Sequence, residues 1–229
     1  MHPNLQAVAF DLDNTLWEVG GVIERAELRL VDWLRANYPR IPQRFSVEAM
    51  RVARLQLALD EPHRAHDFTY LRTAALARHA LDCGYDSVAA EQGFEVFFTA
   101  RNEVDVFPDV APALDRLRPR YALATLTNGN ADLARIGIAA SFEFSLSPRE
   151  VGKAKPHFAG FQQLADRLSL ARSQVLYVGD DPLLDVEAAH AAGMRAAWMN
   201  RIGAPWPAHI AAADLVVRDC LELAAALGV

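Results

Sequence analysis

Two aspartates separated by one residue, Asp11 and Asp13, stand directly after a short apolar run. The run, Leu5–Phe10, predicts a buried strand of a parallel sheet, and open α/β sheets bind ligands where such strands end. Neighbouring carboxylates repel each other, so they need a cation or a shared proton. A divalent metal ion beside a nucleophilic carboxylate meets that need, because aspartate serves as a covalent nucleophile in phosphoryl transfer. The alternative is a strand followed by an ordinary Asp/Asn/Thr turn.

A second group of acids follows the apolar run Val175–Gly179. Asp180, Asp181 and Asp185 place three carboxylates within six residues at another predicted strand end. Oxygen ligands of this kind suit Mg²⁺. An acidic first turn of a helix, which the helix dipole favours, is the alternative for Asp181 and Asp185. That alternative does not explain why carboxylates follow two strands of one predicted sheet.

Two further segments offer partners for an anion. Thr127 ends a predicted strand and precedes Asn128 and Gly129, so a hydroxyl and backbone N–H groups are available there, although Asn-Gly-Asn is also an ordinary turn. Lys155 precedes a proline, which restricts its backbone. A fixed ammonium can neutralise both an aspartate nucleophile and a bound phosphoryl group. A solvated surface lysine is the alternative.

Strand-like and helical segments alternate in residues 1–16 and 106–229, which predicts an α/β core domain in these two parts of the chain. The clearest later strands are Tyr121–Thr127, Val175–Gly179, Arg195–Met199 and Asp214–Val217, with helices at about 109–118, 157–168, 183–192 and 219–227. This alternation predicts a mostly parallel, doubly wound sheet with helices on both faces.

Residues 17–105 lack strand-like runs and predict an all-helical domain inserted after the first strand. Four helices are expected, at Val22–Ala36, Val47–Leu59, Phe68–Leu81 and Val88–Glu103. Prolines and a glycine punctuate the stretch between them. An insertion at this position is expected to lie over the carboxyl ends of the strands, as a cap that acts as a lid.

Composition limits the classes of function. Of the 229 residues, 52% are hydrophobic and 23% charged, which predicts a packed globular core. The formal net charge of −6 and the lack of basic blocks argue against a nucleic-acid binder. No apolar run reaches the roughly 18–20 residues of a membrane span, and the N-terminus does not resemble a signal peptide. Cys83 and Cys220 are the only cysteines and lie far apart in the sequence, so we expect a cytoplasmic protein. We expect no membrane partner, and either a monomer or a homodimer.

Taken together, the four motifs resemble a known family. Asp-x-Asp-x-Thr, the strand-end threonine, Lys-Pro and Gly-Asp-Asp-x-x-x-Asp occur in the order of the signature motifs of the haloacid dehalogenase (HAD) superfamily. The resemblance covers the whole predicted core and implies a Rossmann-like fold with a C1-type helical cap. It also favours Lys155 over the nearby Lys153, because the family's lysine stands immediately before proline.

The resemblance implies roles for the acidic residues. Asp11 matches the nucleophile that attacks phosphorus and forms an aspartyl-phosphate, and Asp13 matches the general acid and base. Mg²⁺ is expected to bind the carboxylates of Asp11 and Asp180 and the main-chain carbonyl of Asp13. Asp185 and Asp181 are expected to orient the lysine and metal-bound water from outside the coordination sphere.

The same resemblance assigns the remaining motif residues to the phosphoryl group. Thr127, together with the N–H groups of Asn128 and Gly129, is expected to bind the phosphoryl oxygens. Lys155 is expected to balance their charge. Such positioning and charge neutralisation are what phosphoryl transfer mainly requires.

Asp13 distinguishes between reaction types within the superfamily. HAD dehalogenases lack a carboxylate two residues after the nucleophile, because a halide leaving group needs no proton, whereas an alkoxide does. The sequence therefore predicts a Mg²⁺-dependent phosphatase that hydrolyses a small phosphorylated metabolite. A HAD phosphosugar mutase, a dehalogenase-type hydrolase and a non-catalytic binding protein on the same fold are the alternatives.

A narrower resemblance concerns the substrate. Bacterial phosphatases of riboflavin metabolism are similar to the chain at residues 61–62, 66–69, 126–131, 141–144 and 178–181. This similarity implies flavin mononucleotide (FMN) or 5-amino-6-(5-phospho-D-ribitylamino)uracil as substrate. In the predicted cap, His66 and Arg72 are candidates for substrate binding, with helix-end packing as the alternative. Trp17 is expected to pack at the hinge between the predicted core and cap, with stacking on a substrate ring as the alternative.

Overall fold

The computed structural model describes residues 4–229, which form two compact units. The α/β unit comprises Met1–Glu18, described from Asn4 onward, with Asp105–Gly129 and Ile136–Val229. The helical unit comprises Val19–Val104 and Asn130–Arg135. The sequence predicts one domain for all of 106–229, whereas the structure groups Asn130–Arg135 with the helical unit.

Six parallel strands form one sheet in the α/β unit. In chain order they are β1 (Ala7–Phe10), β2 (Ala122–Leu126), β3 (Phe144–Leu146), β4 (Val175–Gly179), β5 (Arg195–Met199) and β6 (Leu215–Val217). Their order across the sheet is β3-β2-β1-β4-β5-β6. The strand order reverses direction between β1 and β4, so residues that follow these two strands meet at the point where such sheets bind ligands.

Five helices lie in the Val19–Val104 segment of the helical unit: α1 (Gly20–Asn37), α2 (Arg40–Arg44), α3 (Val47–Asp60), α4 (Phe68–Asp82) and α5 (Val88–Arg101). Side-chain caps start two of them, because Ser46 accepts from the N–H of Ala49 and Asp67 from that of Tyr70. α1 and α4 both pack against α5. The four predicted helices are present, and α2 is an additional one.

The remaining helices connect or follow the strands. They are α6 (Val110–Leu117), α7 (Leu133–Ile136), α8 (Pro148–Val151), α9 (Phe158–Leu168), α10 (Ala188–Ala191) and α11 (Cys220–Ala226), with 3₁₀ turns at Ala139–Ser141 and Arg172–Gln174 and a π-helical segment at Pro182–Glu187. The π-helical segment runs directly into α10, so the single helix predicted at 183–192 has two parts.

Side chains alternate between the two faces of the sheet. Ala7 and Ala9 of β1 join a buried cluster with Phe161 and Leu164 of α9. α9 packs against α10, and α6 packs against α11. The predicted α/β fold class, with a doubly wound parallel sheet and an all-helical insertion after the first strand, is confirmed. None of the helices in residues 4–229 combines the length and apolar character that a membrane crossing requires.

Candidate active site

The candidate site lies at the carboxyl ends of β1 and β4, which are neighbours in the sheet. Phe10 pairs with Val178, and the N–H of Asp11 donates to the carbonyl of Val178 over 2.8 Å. Asp11 and Asp180 therefore leave adjacent strand ends side by side. One ligand oxygen from each of Asp11, Asp180 and Asp185 lies within 4.8 Å of the others.

Lys155 lies among these acids and is only 7% exposed. Its Nζ donates to Asp11 Oδ1 over 2.7 Å, to Asp185 Oδ1 over 2.6 Å and to Tyr177 Oη over 2.8 Å. Asn128 fixes the main chain of the lysine, since Asn128 Oδ1 accepts from its N–H over 2.6 Å and Asn128 Nδ2 donates to its carbonyl over 3.0 Å. The ammonium thus has three acceptors and a fixed backbone, which hold it in one position.

Tyr177 belongs to this site although the sequence gives no direct signal for it. It lies in β4, is fully buried, and donates its hydroxyl proton to the carbonyl of Leu126 over 2.6 Å. A buried tyrosine needs a partner for its hydroxyl, but the strand pattern alone does not say which partner. Burial raises the pKa of Tyr177 well above its ordinary value, so the hydroxyl keeps its proton.

The site carries more negative than positive charge, because three carboxylates surround one ammonium. Burial, reinforced by Asp185, outweighs the opposing charge of Lys155 and raises the pKa of Asp11 to about 8. Burial and Asp185 also raise the pKa of Asp180 to about 6. Burial opposes the charged form of Lys155, but Asp11 and Asp185 hold its pKa well above the ordinary value. A divalent cation would restore neutrality, and a donor set made only of oxygens fits a hard ion such as Mg²⁺.

Both carboxylate oxygens of Asp185 have protein partners. Oδ1 accepts from Lys155, and Oδ2 accepts from the N–H of Asp181 over 2.9 Å. Gly179 permits this arrangement, because a Cβ at that position would lie 2.2 Å from Asp185 Oδ2. Asp185 therefore holds the lysine and the loop, which makes Asp11 and Asp180 better candidates for metal ligands.

Asp181 caps the helical segment that follows it. Its Oδ1 accepts from the N–H groups of Leu183 over 2.8 Å and Leu184 over 2.9 Å. These bonds satisfy donors that the start of a helix leaves unpaired. The helix-end interpretation therefore accounts for the position of this side chain.

Asp13 lies in a tight loop after β1. The N–H of Asn14 donates to the carbonyl of Trp17 over 2.6 Å, and Asn14 adopts a left-handed backbone with φ of 60°, which asparagine tolerates better than most residues. Trp17 is fully buried, and its Nε1 donates to Asp13 Oδ1 over 2.8 Å. Packing was expected for Trp17, but this hydrogen bond was not. It fixes the direction of the Asp13 carboxyl group.

Thr127 follows β2 and is 2% exposed. Its own N–H donates to the carbonyl of Leu146 over 3.0 Å, and its Oγ1 accepts from the N–H of Gly129 over 3.0 Å. The Gly129 N–H, which is expected to bind an anion, therefore points at the threonine hydroxyl. Asn128, expected at the same anion, uses its side chain to hold Lys155.

His66 and Arg72, the predicted substrate-binding residues of the insertion, belong to the helical unit. Arg72 donates to Glu27 over 2.9 Å, and its guanidinium lies 3.4 Å from the centre of the Phe97 ring. Arg54 shares the same Glu27 carboxylate. Burial lowers the pKa of Arg72 to about 10. Arg72 is thus engaged inside its own unit, while His66 is half-buried in the loop before α4.

Comparison with known proteins identifies the family. Residues 5–193 match the model of the haloacid dehalogenase-like hydrolases. The chain belongs to this family. It is also 30% identical over 200 residues to the 5-amino-6-(5-phospho-D-ribitylamino)uracil phosphatase YigB of Escherichia coli, an alignment that covers 86% of this chain and 84% of the relative. The predicted superfamily is confirmed.

Solved structures of HAD proteins show the same fold. A 2-haloacid dehalogenase from Pseudomonas syringae matches 97% of this chain with 98% of its own, at a TM-score of 0.93 and 36% identity. A HAD phosphatase from Thermococcus onnurineus matches 98% of this chain with 98% of its own, at a TM-score of 0.70 and 25% identity. Because these HAD relatives include both a dehalogenase and phosphatases, the chemistry of the site must distinguish the two activities.

Proposed function

We propose that this HAD hydrolase is a Mg²⁺-dependent phosphomonoesterase that acts through an aspartyl-phosphate on Asp11. The observation that carries the proposal is the buried Lys155 ammonium, 2.7 Å from Asp11 within a group of three carboxylates. The fixed cation opposes the rise that burial causes in the pKa of Asp11 and orients its carboxyl group, and it neutralises the charge that an incoming phosphoryl group adds. Asp13, two residues further along, supplies a carboxyl group for proton transfer.

The proposed reaction has two steps. First, a carboxylate oxygen of Asp11 attacks phosphorus, the bond from phosphorus to the alcohol oxygen breaks, and Asp13 gives its proton to the departing alkoxide. Second, Asp13 takes a proton from water, which attacks phosphorus and breaks the bond to Asp11. The products are the alcohol and inorganic phosphate, and both aspartates return to their starting states.

The other residues position the phosphoryl group. Lys155 balances the charge of the phosphoryl oxygens and of the nucleophile, and Asn128 keeps the lysine backbone in place. The hydroxyl of Thr127 and the N–H groups of Asn128 and Gly129 bind the phosphoryl oxygens. For Gly129 this means exchanging its hydrogen bond with Thr127 for one with the substrate.

Asp11, Asp180 and the main-chain carbonyl of Asp13 would hold a Mg²⁺ ion, which supplies charge neutralisation for the transferred phosphoryl group. Two features support this choice: the excess of negative charge in the site and a donor set made only of oxygens.

A dehalogenase is the second candidate, because the chain is so similar in structure to the Pseudomonas syringae enzyme. Asp13 favours phosphoryl transfer, since an alkoxide leaving group needs a proton and a halide does not. A phosphosugar mutase would keep both aspartates but exclude water from the aspartyl-phosphate. A non-catalytic binding protein would leave the costly burial of Lys155 among carboxylates without a purpose.

For the substrate we propose a small phosphorylated metabolite of the riboflavin pathway, either FMN or 5-amino-6-(5-phospho-D-ribitylamino)uracil. The 30% identity to YigB over most of both chains supports this choice. The motif stretches that resemble riboflavin-pathway phosphatases point to the same substrates.

The test is a parallel assay of 4-nitrophenyl phosphate and 2-chloropropionate with Mg²⁺ and with EDTA. We expect release of 4-nitrophenol only with Mg²⁺ and no release of chloride. Asp11→Asn should lower kcat by at least ~10³-fold, because it removes the nucleophile at nearly constant volume, while the circular dichroism spectrum stays unchanged. Chloride release without phosphate ester hydrolysis would replace the proposal with a dehalogenase. Turnover of Asp11→Asn near the wild-type rate would remove Asp11 as the nucleophile.

A further inference from the structure

A groove of about 880 Å³ opens beside the candidate active site. All the residues that line it belong to the α/β unit. Asp180 lines the groove and also contributes to the acidic group with Asp11, and Asn14, next to the proposed general acid Asp13, lines it as well. The groove therefore begins within a few ångströms of the atoms that carry the proposed chemistry.

The wall of the groove is pre-formed. The Asn200 side chain closes a turn, with Nδ2 donating to the carbonyl of Ala204 over 3.0 Å and Oδ1 accepting from its N–H over 2.8 Å. The Trp198 ring lies edge-on to Trp206, with centroids 4.9 Å apart, and its Nε1 donates to the carbonyl of Asp180 over 2.8 Å. These contacts hold the residues of the groove wall together, and Trp198 joins the wall to Asp180 of the acidic site.

The lining selects a particular kind of ligand. Phe107, the exposed Ile202 and three prolines provide apolar surface, while Trp198 and Met199 lie buried beneath the wall. Arg218 and Glu18 are exposed and add opposite charges to the lining. The volume falls in the range of sites that enclose a drug-sized molecule, roughly 300–1,000 Å³. A phosphate or a two-carbon phosphoester would leave most of it empty.

We propose that this groove binds the ring-bearing alcohol portion of the substrate while its phosphoryl group lies at Asp11. The inference rests on the proposed phosphatase function and narrows it to phosphomonoesters with a planar, partly polar ring system. It assigns substrate selection to the α/β unit, in addition to the helical insertion. The engagement of Arg72 with Glu27 and Phe97 inside the helical unit is consistent with this assignment.

The test compares kcat/KM for FMN and for acetyl phosphate, a substrate too small to occupy the groove. Ala204→Phe adds a ring to the groove wall, and Arg218→Glu reverses a charge in its lining. Arg116→Glu makes the same charge change on an exposed position of α6 outside the groove and is the matched control. All variants are assayed as full chains with Mg²⁺.

Wild type should prefer FMN over acetyl phosphate by at least ~10-fold, because remote contacts are realised only by substrates large enough to make them. Ala204→Phe should remove most of that preference by raising the KM for FMN. Its kcat/KM for acetyl phosphate should stay within about 2-fold of the wild-type value, since the new side chain touches no reacting group. Arg218→Glu should change the KM for FMN by about 3-fold or more, and Arg116→Glu should not.

If the ratio of kcat/KM for FMN to that for acetyl phosphate is the same in wild type and in both groove variants, the groove assignment is overturned. If Ala204→Phe loses acetyl phosphate hydrolysis as well, the variant is misfolded. The KM for FMN in Arg218→Glu, compared with that in Arg116→Glu, then tests the groove assignment. Failure of the wild type to hydrolyse either compound would overturn the phosphatase function itself, and the groove assignment with it.

Discussion

A lysine buried among three carboxylates is an expensive feature for a small α/β fold. Moving charges out of water costs several kcal/mol per ion, and apolar residues of similar volume usually stabilise a fold as well or better. Lys155 recovers part of this cost through hydrogen bonds to Asp11, Asp185 and Tyr177. The carboxylates nevertheless outnumber the ammonium, so the site is built for additional positive charge. This excess of negative charge favours a metal-assisted reaction on an anionic substrate.

The hydrogen bond from Trp17 to Asp13 leads to a prediction about proton transfer. Trp17→Phe removes the indole N–H that orients the Asp13 carboxyl group. We expect kcat to fall by roughly 10-fold for alkyl phosphates and by less for 4-nitrophenyl phosphate, because only poor leaving groups depend on a positioned acid. Asp13→Asn should show the same pattern at about 10²–10⁴-fold. The measurement is kcat across a series of leaving-group pKa values.

Trp206→Phe is the matched control, because it too removes an indole N–H bonded to an oxygen, in this case the Ile210 carbonyl over 2.9 Å. It should leave the dependence on leaving-group pKa unchanged. If Trp17→Phe lowers kcat equally for good and poor leaving groups, Trp17 acts only through packing.

At the scale of elements, the sequence pattern predicts the central strands and the long helices well. β4 and β5 have the predicted bounds, because β4 is buried throughout and β5 is a buried apolar run after its first residue, Arg195. The sequence pattern does not predict β3, because Ser145 interrupts this short edge strand, whereas the equally short edge strand β6 is entirely apolar. α2 was not predicted either, because it has five residues and contains Pro42. Both are short elements that tertiary contacts stabilise more than local propensity does.

The candidate site was easier to predict than these short elements. Asp11 and Asp180 directly follow β1 and β4, and parallel strands bring their carboxyl ends to one edge. Lys155 and Asp185 lie further from the strands, and their motifs alone indicate them. The sequence could not predict the partners that orient them, such as Tyr177 and Trp17, because those contacts depend on side-chain directions across the sheet and the loop. For the same reason it gave no sign that the Gly129 N–H donates to Thr127.

The conformation of the loop after β4 requires a glycine at position 179. In Gly179→Ala the new methyl carbon would lie 2.2 Å from Asp185 Oδ2, so the carboxylate must move away from Lys155. We expect a loss of about 1–3 kcal/mol in the free energy of unfolding, as for other overpacked sites, and a strong loss of kcat. Urea denaturation and 4-nitrophenyl phosphate turnover measure the two effects.

Gly20→Ala is the control for Gly179→Ala, because nothing lies within 4 Å of a Cβ at Gly20. Its stability should be unchanged or slightly higher, since alanine favours helix over glycine. Wild-type stability and turnover in Gly179→Ala would contradict the close packing of Gly179 against Asp185.

Two substitutions in the helical unit should have different effects on the whole molecule. We predict that His66→Ala alters relative kcat/KM among large phosphomonoesters more than it alters 4-nitrophenyl phosphate hydrolysis, because remote binding energy is realised only by larger substrates. Arg72→Ala should instead lower stability first, since it breaks the partly buried pair with Glu27 and the contact with Phe97. Thermal unfolding beside the kinetics distinguishes the two. Equal effects of His66→Ala on large and small substrates would count against substrate selection by this residue.

Metal binding and protonation compete for the same carboxylates, which makes whole-molecule stability dependent on pH. The pKa values of Asp11 and Asp180 are raised to about 8 and about 6 in the folded protein, whereas carboxyl groups in an unfolded chain titrate near 4. Between these values the folded state binds more protons than the unfolded state does. The metal-free protein should therefore lose stability as the pH rises from about 4 through about 8.

Mg²⁺ should reverse this trend, because it binds only the deprotonated carboxylates and only in the folded state. We predict that the rise in Tm on adding Mg²⁺ in place of EDTA is several degrees larger at about pH 8.5 than at about pH 6, on the scale of ~2–4 °C per kcal/mol for a chain of this length. Asp180→Asn should abolish the rise, and Asp166→Asn, an exposed carboxylate on α9, should retain it. An equal rise at both pH values, or one that survives Asp180→Asn, would place the ion elsewhere. A rise that follows the predicted pattern would tie the ion to Asp11 and Asp180, because burial, reinforced by the negative charge of Asp185, is what raises the pKa values of these two carboxyl groups.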